Sequence, residues 1–70
     1  MNGFIIEMDE GTGRRKGALW IGIARSAAEL IAKLPGHSPS VVDRGPEVLA
    51  LARGLGLNLD QFRRHYDHSA

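Results

Sequence analysis

The side chains that could do chemistry in this 70-residue chain are few and scattered. His65 and His68 stand three positions apart near the carboxyl end, with Asp67 between them. Two imidazoles at this spacing share a helix face and can begin a zinc site, but a closed site needs two more ligands. Only Asp60 and His37 are conceivable as the others, and nothing in the sequence places them nearby. We therefore predict two surface histidines and no metal or cofactor site.

Nucleophilic catalysis has little support in the sequence. The chain has no cysteine, and its serines stand at positions 26, 38, 40 and 69. Ser26 is expected to cap a helix, and His37 beside Ser38 does not make a triad, because triad members are brought together by the fold. A domain of this size also has little room for a pocket of about 300–1,000 Å³, the usual volume of small-molecule sites. We predict that the protein is not an enzyme.

Residues 48–67 carry a pattern that resembles the helix-turn-helix of DNA-binding proteins. Ala52 is followed four residues later by Gly56, then at once by the apolar Leu57, and five residues further by Phe62. In that motif the small alanine lets two helices cross closely, and the glycine occupies the sharp turn. The pattern is short, and helix packing in any small core can produce it.

The helix-turn-helix resemblance implies a recognition helix over residues 58–67. Its exposed Gln61, Arg63 and Arg64 are of types that read base edges or hold phosphates. Asp60 would lie near phosphates and counts against this interpretation. DNA binding through residues 48–67 is therefore the alternative function, and structural packing of two helices is the competing explanation.

A second basic cluster, Arg14, Arg15 and Lys16, stands in a segment with glycine at positions 11, 13 and 17. Phosphate-binding glycine loops normally join a strand to a helix, so that the helix N-terminus faces the anion. Here the segment is expected to join two strands. We favour a solvated hairpin tip, with weak electrostatic contact to nucleic acid or an acidic partner as the alternative.

Composition indicates an ordinary globular domain, with 43% hydrophobic and 24% charged residues and a net charge of +1. A dedicated nucleic-acid-binding domain is usually more basic. No segment approaches the roughly 20 apolar residues of a membrane span, and the amino-terminal residues do not have the pattern of a signal peptide. The lack of cysteine favours a reducing compartment, and we expect a cytoplasmic protein without a membrane partner.

The elements that must position these residues begin with two apolar strands. Residues 4–8 and residues 18–24 alternate as strands do, and the glycine-rich segment between them predicts an antiparallel hairpin. A short β-branched segment at residues 40–43 predicts a third strand.

Capping signals predict the helices. Ser26 followed three positions later by Glu29 forms a capping box for a helix over residues 27–34. Pro46 suits the first turn of a second helix, and Asn58 can cap a third. The buried stripe of the second helix would consist of Val48, Leu51, Ala52 and Leu55. Together these elements predict a single α+β domain over residues 1–70. It would have a three-stranded sheet (the hairpin plus one short strand) and two to three short helices on one face, in the order ββαβαα.

This packing leaves apolar residues on the second face of the hairpin. If one sheet face carries Phe4, Ile6, Met8, Leu19, Ile21 and Ile23, then Ile5 and Trp20 point away from the helices. Ile5 and Trp20, with Ile23 as a further surplus apolar residue of the hairpin, are the candidate residues of a protein interface. A slip of one residue in the strand phase would instead place Trp20 in the core. We predict a non-catalytic protein-interaction or regulatory module that forms a homodimer, because a core this small gains stability from a partner.

Overall fold

The computed structural model describes residues 1–9 and 18–65 of the chain. Its elements are β1 (Asn2–Asp9), β2 (Ala18–Ala24), α1 (Ala27–Ile31), β3 (His37–Arg44), α2 (Pro46–Gly54) and β4 (Phe62–Arg64). The four strands form one antiparallel sheet in the order β3-β1-β2-β4. The predicted α+β class is confirmed. The three-stranded sheet and the order ββαβαα are wrong, because the last described element is a strand.

The predicted hairpin of β1 and β2 is confirmed, but its register differs from the expected one. Ile6 pairs with Trp20, and Ile5 pairs with Ile21. Directly paired residues share a sheet face, so Trp20 lies on the face of Ile6, and Ile21 lies on the opposite face. The expectation that Ile6 and Ile21 share a face is wrong. Alternation within a strand shows which of its own residues share a face, but it does not fix the offset between two strands.

Helix α1 begins as its sequence signal predicts and ends earlier. Ser26 is the N-cap, and its Oγ accepts a hydrogen bond of 3.3 Å from the backbone N–H of Glu29. The helix ends at Ile31 rather than at residue 34. Beyond it, the N–H of Lys33 donates to the carbonyl of Leu30 at 3.0 Å, which is the tighter three-residue spacing common at helix ends.

The two helices cover opposite faces of the sheet, which corrects the predicted placement on one face. One core cluster joins Leu30 of α1 and Leu34 after it to the even-numbered strand residues Phe4, Ile6, Met8 and Ala24. The other cluster joins Val48 and Ala52 of α2 to the odd-numbered strand residues Ile5, Ile21 and Ile23. Because alternate strand residues point to opposite faces, the sheet is a middle layer between α1 and α2.

Only part of the predicted stripe of α2 is buried. Val48 and Ala52 pack against the sheet, with 4% and 0% of their surfaces exposed. Leu51 and Leu55 remain 45% and 38% exposed, which corrects the expectation that both are buried. Successive helix residues are about 100° apart, so Leu51 points well to the side of the direction that Ala52 takes into the sheet.

The predicted third helix is absent from residues 58–65, which form a turn and then β4. The backbone N–H of Asn58 donates to Gln61 Oε1 at 2.8 Å, which is one of the two hydrogen bonds of a capping box, although residues 59–65 form no helix. The chain then runs along β2 as a strand instead of forming a helix. The N–H of Asp60 donates to the carbonyl of Ile23 at 2.7 Å, and the N–H of Ile23 donates to the carbonyl of Gln61 at 3.0 Å. Pairing with β2 takes the backbone groups that a helix would need.

Candidate interaction surface

The edge strand β3 is the most exposed element of the sheet. All eight of its residues are exposed, including Val41 and Val42 at 37% and 55%. Beyond β3 no further strand of the described part of the chain covers this edge. An edge strand presents unpaired backbone groups that another chain can use, and exposed valines add apolar surface beside them. This edge is therefore a surface at which another strand could be added.

Several features restrict strand addition at β3. Pro39 has no N–H to offer, and the N–H of Arg44 already donates to Asp43 Oδ1 at 2.8 Å. The ladder with β1 also shifts register twice, and Val42 has no register partner in β1. Proline and bulges are features by which natural edge strands limit pairing. The part of the edge without these restrictions is limited to Ser40 and Val41.

A second exposed apolar site lies on α2. Leu51 and Leu55, the C-cap residue of α2, are four residues apart and remain 45% and 38% exposed, so they lie near each other at the carboxyl end of the helix. Single exposed leucines are normal on proteins. Two adjacent leucines on one helix form a small patch that makes α2 the main competitor of β3 as an interaction surface.

Two of the three predicted interface residues are buried within the chain. Ile5 is 9% exposed and Ile23 is 0% exposed, and both pack in the cluster beneath Val48 and Ala52 of α2. The expectation of an open apolar face at these residues is therefore wrong, because α2 covers that face. Sequence reasoning had assigned α2 to the same face as α1. It also missed Val41 and Val42, whose signal was a β-branched pair in the strand following the α1 helix.

Trp20 lies at the margin of the α1-side core. Its ring meets the Phe62 ring edge-on, with centroids 5.7 Å apart and planes at 72°. The guanidinium carbon of Arg64 lies 5.3 Å from the Trp20 ring centroid. The indole Nε1 is buried and has no hydrogen-bond partner among the described residues. Trp20 is thus partly buried against the core of its own chain, although an additional contact with a partner stays a prediction.

The predicted nucleic-acid residues are not brought onto one recognition element. Gln61 is in the turn before β4, while Arg63 and Arg64 are neighbours in that strand. Arg63 pairs with Ile21 and Arg64 pairs with Trp20, so their side chains leave opposite faces of the sheet. The predicted recognition helix is wrong for residues 58–65. Arg14, Arg15 and Lys16 lie outside the described residues.

Replacing Arg64 with Ala is expected to change the fluorescence of Trp20, the only tryptophan of the chain. The substitution removes the cation near the indole ring, and such contacts are worth about 0.5–1 kcal/mol at exposed sites. Emission spectra and urea unfolding of Arg64→Ala should therefore both differ from those of the wild type. Arg63→Ala is the matched control, because Arg63 pairs with Ile21 on the other face. Identical spectra for wild type and Arg64→Ala would contradict the contact.

Metal-ligating side chains do not cluster in the described part of the chain. Across residues 1–9 and 18–65, every buried side chain is apolar, and no three metal-ligating side chains form a group that could hold an ion. His68 of the predicted histidine pair, and Asp67 between the two histidines, lie outside these residues. Among the helices described, none has the length and apolar character required to cross a membrane.

Comparison with known proteins adds no relative to this geometry. No protein-family model, no curated protein and no solved structure matches the chain. The edge at β3 and the leucine pair on α2 must therefore be interpreted from their own exposure and chemistry.

Proposed function

We propose that this chain is a small, non-catalytic protein-interaction or regulatory module that acts as a homodimer. The observation that carries the proposal is the exposed edge strand β3, which presents Val41 and Val42 to solvent. Backbone groups and apolar side chains on one edge are what a second polypeptide needs for strand addition. A catalytic role has no comparable support, since the described residues bury no polar or charged side chain.

The size of the chain also favours association. A domain of about this length buries only about 60% of the surface that its unfolded chain exposes, so its own core supplies limited stability. The chain contains no cysteine and so cannot form a disulfide, while a second subunit adds buried surface directly. Binding of the folded form to a partner stabilises it by mass action. Homodimerisation would supplement the two thin core layers on either side of the sheet.

Sedimentation equilibrium of the purified chain tests this proposal. We expect a mass that rises with concentration toward that of two chains of 7.6 kDa each. Thermal stability should rise over the same concentration range, because dissociation is coupled to unfolding. A single-chain mass at protein concentrations up to about 1 mM would contradict the proposed homodimer, because association would then be worth less than about 4 kcal/mol.

Nucleic-acid binding stays a prediction. Its main argument was a recognition helix over residues 58–67, and residues 58–65 form a turn and a strand. A cytoplasmic location also stays a prediction.

A further inference from the structure

We infer that residues 58–65 form a strap that opens as one unit while the rest of the described sheet stays folded, and that the edge of β2 beneath the strap binds a partner strand. The strap consists of the turn before β4, β4 itself and His65. The β2 edge lies on the opposite side of the sheet from β3, so it is independent of a homodimer formed through β3.

The strap contributes no buried residue to either core cluster. Every buried member of the two clusters lies within residues 4–52. The apolar side chains of the strap, Leu59 and Phe62, are only half-buried, each at the margin of one cluster. Segments with few buried apolar contacts open locally at a lower free energy than the core unfolds. Opening the strap therefore leaves the buried contacts of β1, β2 and the two helices in place.

Backbone hydrogen bonds near both ends hold the strap to β2. Asp60 donates its N–H to the carbonyl of Ile23 at 2.7 Å, and His65 donates to the carbonyl of Leu19 at 2.9 Å. The Lys33 ammonium lies 3.2 Å from Asp60 Oδ1, but the two side chains are 43% and 48% exposed, and exposed ion pairs add little stability. Asp60 also has a φ of +69°, which is unfavourable for a residue with a Cβ. Opening the strap releases this strain.

The β2 edge under the strap has none of the features that limit pairing at β3. β2 pairs with β1 at seven consecutive positions without a register shift. Its sequence contains no proline and no charged residue, whereas β3 carries Pro39 and two register shifts. A regular, uncharged edge is the kind that another strand joins most readily. The strap is thus the cover of a strand-accepting edge.

The contacts of the strap define the partner strand that fits. Phe62 pairs with Gly22, where an added Cβ would come 2.8 Å from the Phe62 Cβ, and the Arg64 guanidinium lies over the Trp20 ring. The partner is therefore an extended protein segment with an aromatic residue followed two positions later by arginine. β4 pairs with only three of the seven residues of β2, so a longer partner strand gains pairs that β4 does not make. The strap of a second copy would gain no contact and would lose freedom on association.

Native-state hydrogen exchange on the wild-type chain tests the opening. The Ile23 N–H donates to Gln61 of the strap at 3.0 Å, whereas the N–H of the neighbouring Gly22 points toward β1, because successive residues of an antiparallel strand bond to alternate sides. We expect a protection factor at Ile23 at least about tenfold lower than at Gly22. Low concentrations of urea should speed exchange at Gly22 far more than at Ile23, since the urea dependence scales with the surface exposed on opening.

A synthetic peptide with the sequence of residues 58–65 tests the edge beneath the strap. The apparent Kd equals the intrinsic Kd divided by the fraction of open strap. Phe62→Ala weakens the strap, so this variant should bind the peptide at least about tenfold more tightly than the wild type in an NMR titration of the labelled chain. Arg63→Ala is the matched control and should bind like the wild type, because Arg63 pairs with Ile21 on the face opposite Trp20. Circular dichroism checks the fold, and Phe62→Leu replaces Phe62→Ala if that variant is unfolded.

The outcomes separate the strap from the partner site. Equal protection factors and equal urea dependence at Ile23 and Gly22 would overturn the strap. A strap that opens, with peptide binding no tighter in Phe62→Ala than in the wild type, would overturn the strand-binding edge. If unlabelled wild-type chain shifts the β2 amides of labelled Phe62→Ala as strongly as the peptide does, the occupant is a second copy and the partner strand is overturned.

Discussion

Gly3→Ala is expected to destabilise the folded chain by about 3 kcal/mol or more, at or above the upper end of ordinary overpacking effects. A Cβ atom at Gly3 would lie 2.4 Å from the backbone N of Leu49, 2.5 Å from its Cα and 2.7 Å from the backbone carbon of Val48. These are main-chain atoms of α2, so they cannot be relieved by rotating a side chain. The helix would have to lift from the sheet and expose the core cluster beneath it. Urea unfolding followed by circular dichroism measures the loss.

Gly54→Ala is the matched control for this substitution. Gly54 is the last residue of α2, and a Cβ built there meets nothing within 4 Å. Alanine restricts the unfolded chain more than glycine does, so this variant should be more stable than the wild type, by up to about 1 kcal/mol. Wild-type stability in Gly3→Ala would mean that α2 does not rest on β1, and the assignment of the helices to opposite faces would fail.

Local signals in the sequence predicted features that can be recognised from neighbouring residues. Residues 18–24 form the second strand as predicted, and Ser26 caps α1. Pro46 begins α2, as its fixed backbone angle suggests. The two helix starts depend on residues within one turn of chain, and alternation alone identifies residues 18–24 as a strand without showing which strands it pairs with. The pattern of neighbouring residues was therefore enough to find them.

Contacts between distant residues were not predictable in the same way. Gly3 in a strand usually signals a weak position, and only the fold shows that α2 packs on its bare backbone. Asn58 suited a helix cap, yet hydrogen bonds to the edge of β2 place residues 62–64 in a strand. Leu51 fitted a buried helical stripe, but α2 turns Val48 and Ala52 toward the sheet and leaves Leu51 45% exposed. The candidate interface residues differed from the predicted ones for the same reason, because the burial of a strand residue depends on which sheet face each helix covers.

Ile23→Ala is expected to cost about 2–5 kcal/mol, the usual effect of truncating a buried isoleucine. The Ile23 side chain is 0% exposed and packs in the cluster with Ile21, Val48 and Ala52. Total stabilities of about 5–15 kcal/mol are typical of natural domains, and small domains lie toward the lower end. The loss should therefore populate the unfolded chain at ordinary temperatures. Thermal and urea unfolding at fixed protein concentration measure it.

The same variant distinguishes a core residue from an interface residue at position 23. If Ile23 is core, Ile23→Ala loses stability, while the fraction that stays folded keeps the dimer affinity of the wild type. Val42→Ala should show the reverse, with a stability change below about 1 kcal/mol for the isolated chain and a weaker dimer, because Val42 is 55% exposed on the edge strand. An Ile23→Ala chain with unchanged unfolding and a lost dimer would return Ile23 to the interface. It would also mean that α2 does not cover the odd-numbered face of the sheet.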